Sequence, residues 1–364
     1  MRAIDTTVHW ARAHERHLSA VFLAGGFAFD SYAFGRIDRP MTQLVFILYL
    51  LMAGIAIAVL HALESRPDGK KPSERTRTIL IFASQFALGC LLSGFCVFYI
   101  RSASIVASWP FLLCMAGIFI GNEYLRQYHS RLVFSALLFF FSLYSYAILL
   151  VPVVIARIGT GPFLTSGVLA LVFFFFYMQA LARLGHDRYK GARVQIAAGT
   201  LAITAFLNAF YFVKILPPLP LVLSDAGVYH AAKRVGYDFQ VTAEAEPAAW
   251  RALFGTFPVE HIQPGDKLYL YSAVFAPYRL TANIEHRWEW RDPKSGDWTW
   301  QQTIPITIRG GREDGFRAIT FKTAPKPGQW RVNIATIDGH AIGRVRFSVE
   351  TQAVPPAVSA KTLK

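Results

Sequence analysis

The stretch 132-LVFSALLFFFSLYSYAILLVPVVI-155 carries no charged residue. About 20 apolar residues in a helix cross the hydrocarbon core of a bilayer, because each residue adds about 1.5 Å. The stretch therefore predicts a membrane-spanning helix. Similar runs occur on both sides of it, so the first 216 residues are predicted to form an α-helical polytopic membrane bundle of about seven spans. The predicted spans cover residues 18–34, 41–62, 78–99, 105–121, 132–155, 163–182 and 196–216.

The composition of the chain supports this class of protein. Of its 364 residues, 54% are apolar and only 16% are charged, whereas about 25% are charged in an ordinary soluble domain. The net charge of +14 sits mainly in residues 1–216, which hold 19 Lys and Arg against nine Asp and Glu. Cations in short loops between apolar runs orient a membrane protein, so nucleic acid is not expected as a partner.

The distribution of Lys and Arg predicts the orientation. With a cytoplasmic N-terminus, the segments on the inner side carry 14 Lys and Arg and the outer loops carry four. This bias predicts a bacterial inner-membrane protein whose chain after residue 216 lies in the periplasm. A cleaved signal peptide is the alternative for residues 1–34. An uncleaved anchor is favoured because Asp30 stands where a cleavage site needs small neutral residues.

Polar residues in or near the spans are the first place to look for transport or catalysis. Asp30 and Glu123 are the acids near a span, and Gln85 and Asn208 lie deeper but are uncharged. A coupled carrier usually needs a charged group near the midplane, so interfacial anchoring and hydrogen bonds between helices are favoured instead. The three cysteines all lie in apolar runs and are read as small hydrophobic residues.

The segment Pro217-Pro218-Leu219-Pro220 ends the last span, and residues 217–235 are predicted to be a linker. From 236 to 350 short runs alternate with a period of two, which predicts an all-β antiparallel sandwich, Ig-like in class. Residues 351–364 are predicted to be a disordered tail. The clearest hairpin lies within 283–308. One face of it is predicted to hold Ile284, His286, Trp288, Trp290, Trp298, Trp300, Ile304, Ile306 and Ile308.

A set of short motifs recurs through this half of the chain. The motifs are His286-Arg287-Trp288, Gly315-Phe316-Arg317, Gly328-Gln329-Trp330-Arg331-Val332 and Asp338-Gly339. With them, residues 260–350 resemble a bacterial domain family of unknown function that occurs at the C-terminus of membrane-tethered proteobacterial proteins. The resemblance implies an envelope location and a β-sandwich, and it implies no reaction. Ala318 departs from the pattern, since a hydroxyl residue is expected after the arginine.

Two groups of side chains are candidates for ligand binding. Arginine forks suit phosphate and carboxylate groups, and the candidates for an anionic envelope ligand are Arg287, Arg309, Arg312, Arg317 and Lys322. The four tryptophans in 288–300 suit a platform for sugar rings, but their alternation favours the core of the sandwich. His286 and His340 have no partner at metal-ligand spacing, so neither a metal nor another cofactor is expected.

The sequence contains no catalytic motif, and three functions remain open. The favoured one is a membrane protein that displays a non-catalytic sandwich in the periplasm for binding or sensing. The second is a membrane enzyme or carrier for a lipid-linked or small anionic substrate. The third is a structural subunit of an envelope complex. Membrane lipid, an anionic envelope ligand and other envelope proteins are the expected partners.

Overall fold

The computed structural model describes residues 27–32, 34–65, 72–102, 105–124, 131–184, 186–236, 238–244, 258–312 and 314–363. The chain divides into two compact units. The helical unit ends at Phe212, and the β unit contains the chain from Val213 onward together with the short segments Arg101–Ser108 and Pro152–Thr160. The change of unit falls close to the boundary predicted at residue 216.

The helical unit contains long apolar helices. They are α1 (Pro40–Glu64), α2 (Glu74–Ser102), α3 (Ile105–Tyr124), α4 (Leu132–Ile155), α5 (Thr160–Leu184) and α6 (His186–Phe212). Five of the described helices, all except α3, are long and apolar enough to cross a membrane. This suggests a membrane protein, as the composition predicts.

The remaining predicted spans are shorter in the part of the chain that the structure describes. The apolar part of α3 is Ala107–Asn122, which is below the length of a full span. Of the run 18–34, residues 27–32 are helical, and residues 18–26 lie outside the described residues. The described helices therefore account for five predicted spans by length.

The helices differ in how much of their surface other helices cover. In α4, 72% of the most apolar window is buried within the structure, against 17% in α6. The exposed side chains of α5 include Phe173 and Phe176, each 65% exposed. Large apolar side chains exposed in such numbers need an apolar solvent, which lipid supplies. Helix α4 is therefore the central helix of the unit and α6 a peripheral one.

The β unit contains eleven strands in the described residues. They are β1 (Val222–Tyr229), β2 (Ala231–Val235), β3 (Asp238–Glu244), β4 (Val259–Ile262), β5 (Lys267–Phe275), β6 (Thr281–Arg291), β7 (Trp298–Arg309), β8 (Phe316–Thr323), β9 (Gly328–Thr336), β10 (Ala341–Thr351) and β11 (Val358–Leu363). They form a five-stranded sheet β4-β10-β9-β6-β7 and two three-stranded sheets, β1-β5-β8 and β11-β3-β2.

The five-stranded sheet and the sheet β1-β5-β8 enclose the main core. Alternate residues of β5, such as Leu270 and Val274, are fully buried against Trp288 of β6 and Trp330 of β9. Trp288 meets Phe347 of β10 edge to face, with ring centroids 6.3 Å apart. Each tryptophan removes a large apolar area from water, and Trp288 and Trp330 are the largest fully buried side chains of this core.

The sheet β11-β3-β2 covers the other face of β5. Tyr271 and Ala273 of β5 are buried there with Val241 of β3 and Leu363 of β11. The predicted linker 217–235 therefore contains β1 and β2, and the predicted disordered tail 351–364 contains β11, which pairs with β3 along its length. Alternating apolar residues in β5 leave both of its faces apolar, and these flanking segments supply the cover for the second face.

The predicted all-antiparallel pairing is wrong at one edge. Strand β4 pairs with β10 in parallel, with Ser348 opposite Val259 and Thr351 opposite Ile262. All other strand pairs that the structure describes are antiparallel. The region is therefore a β structure with mixed pairing, because the chain reaches β4 from the third sheet rather than from a hairpin with β10.

The role of β11 can be tested with Leu363→Ala. Leu363 is 6% exposed, and truncation of a buried leucine costs about 2–5 kcal/mol. We expect β11 to detach more often and trypsin to cleave after Lys361 at least about tenfold faster. The matched control is Val358→Ala, since Val358 is 43% exposed at the other end of the strand. Equal cleavage of both variants and wild type would contradict the pairing.

Candidate functional site

The outer face of the five-stranded sheet carries a cluster of charged and aromatic side chains. Strand register places four side chains in one row across this face, namely Trp300, Glu289, Arg331 and Arg346. The neighbouring row holds Thr303, Arg287, Asn333 and Arg344. Trp298 and Arg291 stand opposite each other at the end of the hairpin. We call these ten side chains, with Glu285, the outer face.

Hydrogen bonds join the polar members of the outer face. Glu289 accepts from the guanidinium of Arg331, and its Oε2 accepts from Asn333 Nδ2 at 3.0 Å. The guanidinium carbon of Arg331 also lies 4.4 Å from the centre of the Trp298 ring, which is a cation–π contact. The outer face contains two carboxylates, Glu285 and Glu289, against five arginines, so it has a net positive charge.

The arginines of the outer face crowd one another. Burial lowers the pKa of Arg344, and the nearby charges of Arg331 and Arg346 lower it further. Like charges at this spacing disfavour each other's charged form. An anion placed on this face would relieve the repulsion, so the face is suited to phosphate or carboxylate groups.

The position of Trp298 and Trp300 corrects the sequence prediction for the tryptophans. The prediction that all four belong to the core is wrong for Trp300, which is 65% exposed. The register between β6 and β7 shifts by one residue at Trp288 and Glu289. The extra residue of this β-bulge reverses the inward and outward alternation of side chains along β7. Ile304 therefore points to the inner face, whereas Trp298 and Trp300 point outward.

The other predicted anion-binding residues do not gather on this face. Arg309 and Arg312 are exposed at the end of β7 and in the following loop. Arg317 lies in β8, and its guanidinium is 3.5 Å from the carboxylates of Asp238 and Asp314. Lys322 lies five residues further along β8, so it points to the opposite face of that sheet. Arg309, opposite Thr281, points to the same side of the sheet as Arg287 but lies at the far end of β7, so of the predicted set only Arg287 is among the outer-face residues.

The remaining motif residues have structural positions. Trp330 is buried, and its Nε1 donates to the carbonyl of Lys326 at 2.7 Å. Asp338 and Gly339 lie in the connection between β9 and β10, where Gly339 has φ of +86° and its N–H donates to Thr336. A positive φ favours glycine at this position. These motif residues thus belong to the core and to one tight turn, whereas Arg287 and Arg331 of the same motifs lie on the outer face.

His286 links the two sheets of the sandwich. Its ring is fully buried on β6, with Nε2 2.9 Å from Ser272 Oγ on β5 and Nδ1 2.9 Å from Thr320 Oγ1 on β8. Burial lowers the pKa of His286 to about 4. A neutral imidazole can accept at one nitrogen and donate at the other, so two hydroxyl groups satisfy it completely.

The predicted polar residues of the helical unit are engaged with their neighbours. Asn208 donates from Nδ2 to Tyr144 Oη at 3.2 Å and to the carbonyl of Thr204 at 2.8 Å. Gln85 is buried, and its backbone carbonyl accepts from Asn122 at 3.3 Å. Asp30 is half-buried in the helical segment 27–32, while the side chain of Glu123 in α3 lies outside the described residues. The bond from Asn208 of α6 to Tyr144 of α4 joins two helices in the way that the sequence predicts, whereas the bond to Thr204 lies within α6 and the contact at Gln85 involves its backbone carbonyl.

A second cluster lies where all three sheets of the β unit meet. His230 follows β1, Glu244 ends β3 and Glu260 belongs to β4. His230 Nε2 is 2.9 Å from Glu244 Oε1 and 3.1 Å from Glu260 Oε2. The ligand atoms of these three residues all lie within 4.8 Å of one another. Imidazole and carboxylate groups at this spacing are able to hold a metal ion.

His261 supports this cluster from β4. Its backbone N–H donates to Glu244 Oε1 at 2.6 Å, and its Nδ1 lies 2.7 Å from Glu244 Oε2. Burial by itself lowers the pKa of His230, and the carboxylates of Glu260 and Glu244 raise it by more, so the net shift is upward. Sequence reasoning missed the cluster because its members are far apart in the chain and show no ligand spacing. The adjacent pair Glu260-His261 is the one local signal.

Residues 281–349, from the start of β6 into β10, match the model of a family described as a protein of unknown function, DUF2914. The match fits the predicted C-terminal domain of unknown function. A search of the curated proteins finds no match.

Solved structures with some similarity include a β-glucosidase from Listeria innocua in complex with gluconolactone. It has 9% sequence identity and a TM-score of 0.19, over 31% of this chain and 16% of the enzyme. Another is the alkylpurine DNA glycosylase AlkC from Pseudomonas fluorescens, bound to DNA that contains an abasic site analog. It has 8% identity and a TM-score of 0.20, over 85% of this chain and 99% of that protein. Similarity at this level supports no conclusion about fold or function.

The buried His286 predicts a pH dependence of stability. At a pH between the ordinary pKa of 6.5 and the folded value of about 4, His286 binds a proton in the unfolded chain but not in the folded chain. The β unit should therefore lose stability as the pH falls through this window, by on the order of 3 kcal/mol. The measurement is the unfolding temperature of the full chain in detergent micelles from pH 7.5 to pH 4.5.

The control for this prediction is His286→Gln, which keeps a side chain able to hydrogen bond but cannot titrate. Its unfolding temperature should fall less steeply over the same pH range. His340, whose pKa burial lowers, and His230, whose pKa shifts upward, contribute slopes of opposite sign in both proteins, so the difference between the two profiles reports on His286. Identical pH profiles for the two proteins would contradict the role of His286.

Proposed function

We propose that this chain is an inner-membrane protein that displays a non-catalytic binding module in the periplasm, and that the outer face of the module binds an anionic glycan of the cell envelope. The observation that carries the proposal is the juxtaposition on that face of two outward-turned tryptophans, Trp298 and Trp300, with five arginines. Sugar rings stack on tryptophan, and arginine forks bind the phosphate or carboxylate groups of an acidic glycan.

The proposal includes seven crossings of the membrane. Five described helices have sufficient length and hydropathy, α3 adds a shorter apolar helix, and the run 18–34 adds the seventh. Lys and Arg in the predicted loops favour the inner side by 14 to four. An odd number of crossings from a cytoplasmic N-terminus puts the β unit on the outer side.

The proposal also includes an immunoglobulin-like arrangement of the sandwich. In this reading, β6, β9 and β10 take the places of strands C, F and G, and β7 takes that of C′ in a variable-type domain. The sheet order β10-β9-β6-β7 and the buried Trp288 on β6 support it. The disulfide of antibody domains has no counterpart, because all three cysteines precede residue 216.

The ligand is proposed to be acidic because of the charge of the outer face. Its five arginines and two glutamates give a net charge of three positive charges. Trp300, in addition, donates its indole N–H to Thr303 Oγ1 at 2.9 Å. That bond fixes the indole of a 65% exposed ring. A ring held in one orientation loses little conformational entropy when a ligand stacks on it.

The alternative of a membrane enzyme or carrier has less support. Its candidate groups Gln85 and Asn208 are uncharged, and Asn208 already donates both to Tyr144 and to the carbonyl of Thr204. Groups engaged in this way stabilise helix contacts and do not offer a substrate an open polar partner. The third function, a structural subunit of an envelope complex, stays a prediction that isolation of the native complex would test.

The orientation can be measured with reporters fused to the C-terminus of the full chain. Alkaline phosphatase folds only outside the cytoplasm, and a green fluorescent protein exported by this route stays dark. We expect an active phosphatase fusion and a dark fluorescent fusion. An inactive phosphatase together with a bright fluorescent fusion would place the β unit in the cytoplasm and remove the basis for an envelope ligand.

Binding by the outer face can be tested with soluble peptidoglycan fragments, which carry sugar rings and carboxylates. We expect the full chain in micelles to bind them, and Trp300→Ala to weaken binding by about tenfold, equivalent to about 1.4 kcal/mol. Neutral chitooligosaccharides of equal length should bind more weakly because they lack the anionic groups.

The matched control for this test is Tyr278→Ala. Tyr278 is 64% exposed and lies beside Arg279, with 5.4 Å between the guanidinium carbon and the ring centre, but outside the five-stranded sheet. It should leave binding of the fragments unchanged. Absence of binding by the wild type, or equal loss in both variants, would overturn the outer face as the binding site.

A further inference from the structure

The cluster of His230, Glu244 and Glu260 has an excess of negative charge. Glu244 and Glu260 face His230, and His261 also contacts Glu244, so the two carboxylates keep an uncompensated negative charge unless both imidazoles are protonated; the side chains of His230, Glu244 and Glu260 are only 11%, 17% and 11% exposed. A charge that is buried without a counterion is strongly destabilising. A divalent cation with a neutral imidazole would bring the sum of these charges to zero.

The hydrogen bonding of the cluster is also incomplete. His230 Nε2 and Glu260 Oε2 are buried and lack a hydrogen-bond partner, although they lie 3.1 Å apart. The distance is short enough for a hydrogen bond, but the relative orientation of the imidazole and the carboxylate does not form one. Glu260 as a whole is 8% exposed. Unsatisfied buried atoms of this kind are destabilising, and a shared cation would satisfy both of them.

The contacts around Glu244 are of the kind that orient a metal-binding carboxylate. Glu244 is held by two contacts from His261, one from the backbone N–H to Oε1 and one from the ring to Oε2. Such outer contacts fix the orientation of a metal-binding carboxylate. A set of one imidazole nitrogen and two carboxylate oxygens suits Zn²⁺ and related transition-metal ions better than Ca²⁺, which takes six to eight oxygen ligands.

We propose that His230, Glu244 and Glu260 bind one divalent transition-metal cation of the zinc class, which fastens the three sheets of the β unit to one another. The ligands come from the β1–β2 junction, from β3 and from β4, and so from all three sheets. Three protein ligands leave a fourth position for water. Loss of the cation should loosen the sheet β11-β3-β2 while the main sandwich core stays folded.

The test uses the full chain in detergent micelles, purified without a histidine tag and stripped with a chelator. Zn²⁺ is titrated in competition with a chromophoric chelator, and Co²⁺ absorption reports the geometry of the ligands. We expect one equivalent of Zn²⁺ to bind at this cluster. Glu260→Gln should weaken the affinity by more than about tenfold. The matched control is Glu285→Gln, a carboxylate of the outer face that contacts Arg287, and it should bind Zn²⁺ like the wild type.

Hydrogen exchange gives a second readout that does not depend on the variant. Zn²⁺ should slow exchange in β3 and β11 of the wild type, and the chelator should reverse the effect. If Glu260→Gln does not fold, Glu244→Gln takes its place in the titration. No Zn²⁺ binding by the wild type, or equal affinity in wild type and cluster variants, would overturn the proposal.

Discussion

The architecture of the β unit depends on one constraint, which is that strand β5 is apolar on both of its faces. Leu270 and Val274 point into the main core, while Tyr271 and Ala273 point away from it and are equally buried. A strand with two apolar faces is stable only if both are covered. The five-stranded sheet covers the first face, and the small sheet β11-β3-β2 covers the second.

The cover on the second face also positions the chemistry. Because β3 lies over β5 and the chain then enters β4 at the edge of the five-stranded sheet, Glu244 and Glu260 reach His230 from different layers. On the first face, Ser272 of β5 bonds to His286 of the opposite sheet. The same strand thus supports both the link through the sandwich and the polar cluster at its edge.

The sequence is enough to predict five helices long and apolar enough to cross a membrane, the β-rich half of the chain and the hairpin of β6 and β7, because hydrophobic runs of 20 residues and alternation with a period of two depend on local pattern alone. It is not enough for Trp298 and Trp300, since a one-residue bulge in β7 reverses their side and leaves the alternation on each side intact. The sequence does not reveal the strand β11, because half of its residues 358–363 are polar and only Leu363 is buried. The cluster around His230 depends on which layers meet, and that is a property of the tertiary fold.

Hydrogen exchange of the full chain in micelles, followed by mass spectrometry, tests the double cover of β5 most directly. The account predicts that peptides spanning 267–275 exchange most slowly in the β unit, and that peptides spanning 358–363 are protected as members of a paired strand. Protection of 267–275 together with exchange of 358–363 at the rate of a free peptide would mean that the second face of β5 has a different cover. The three-layered arrangement, and the meeting of His230 with Glu244 and Glu260, would then be contradicted.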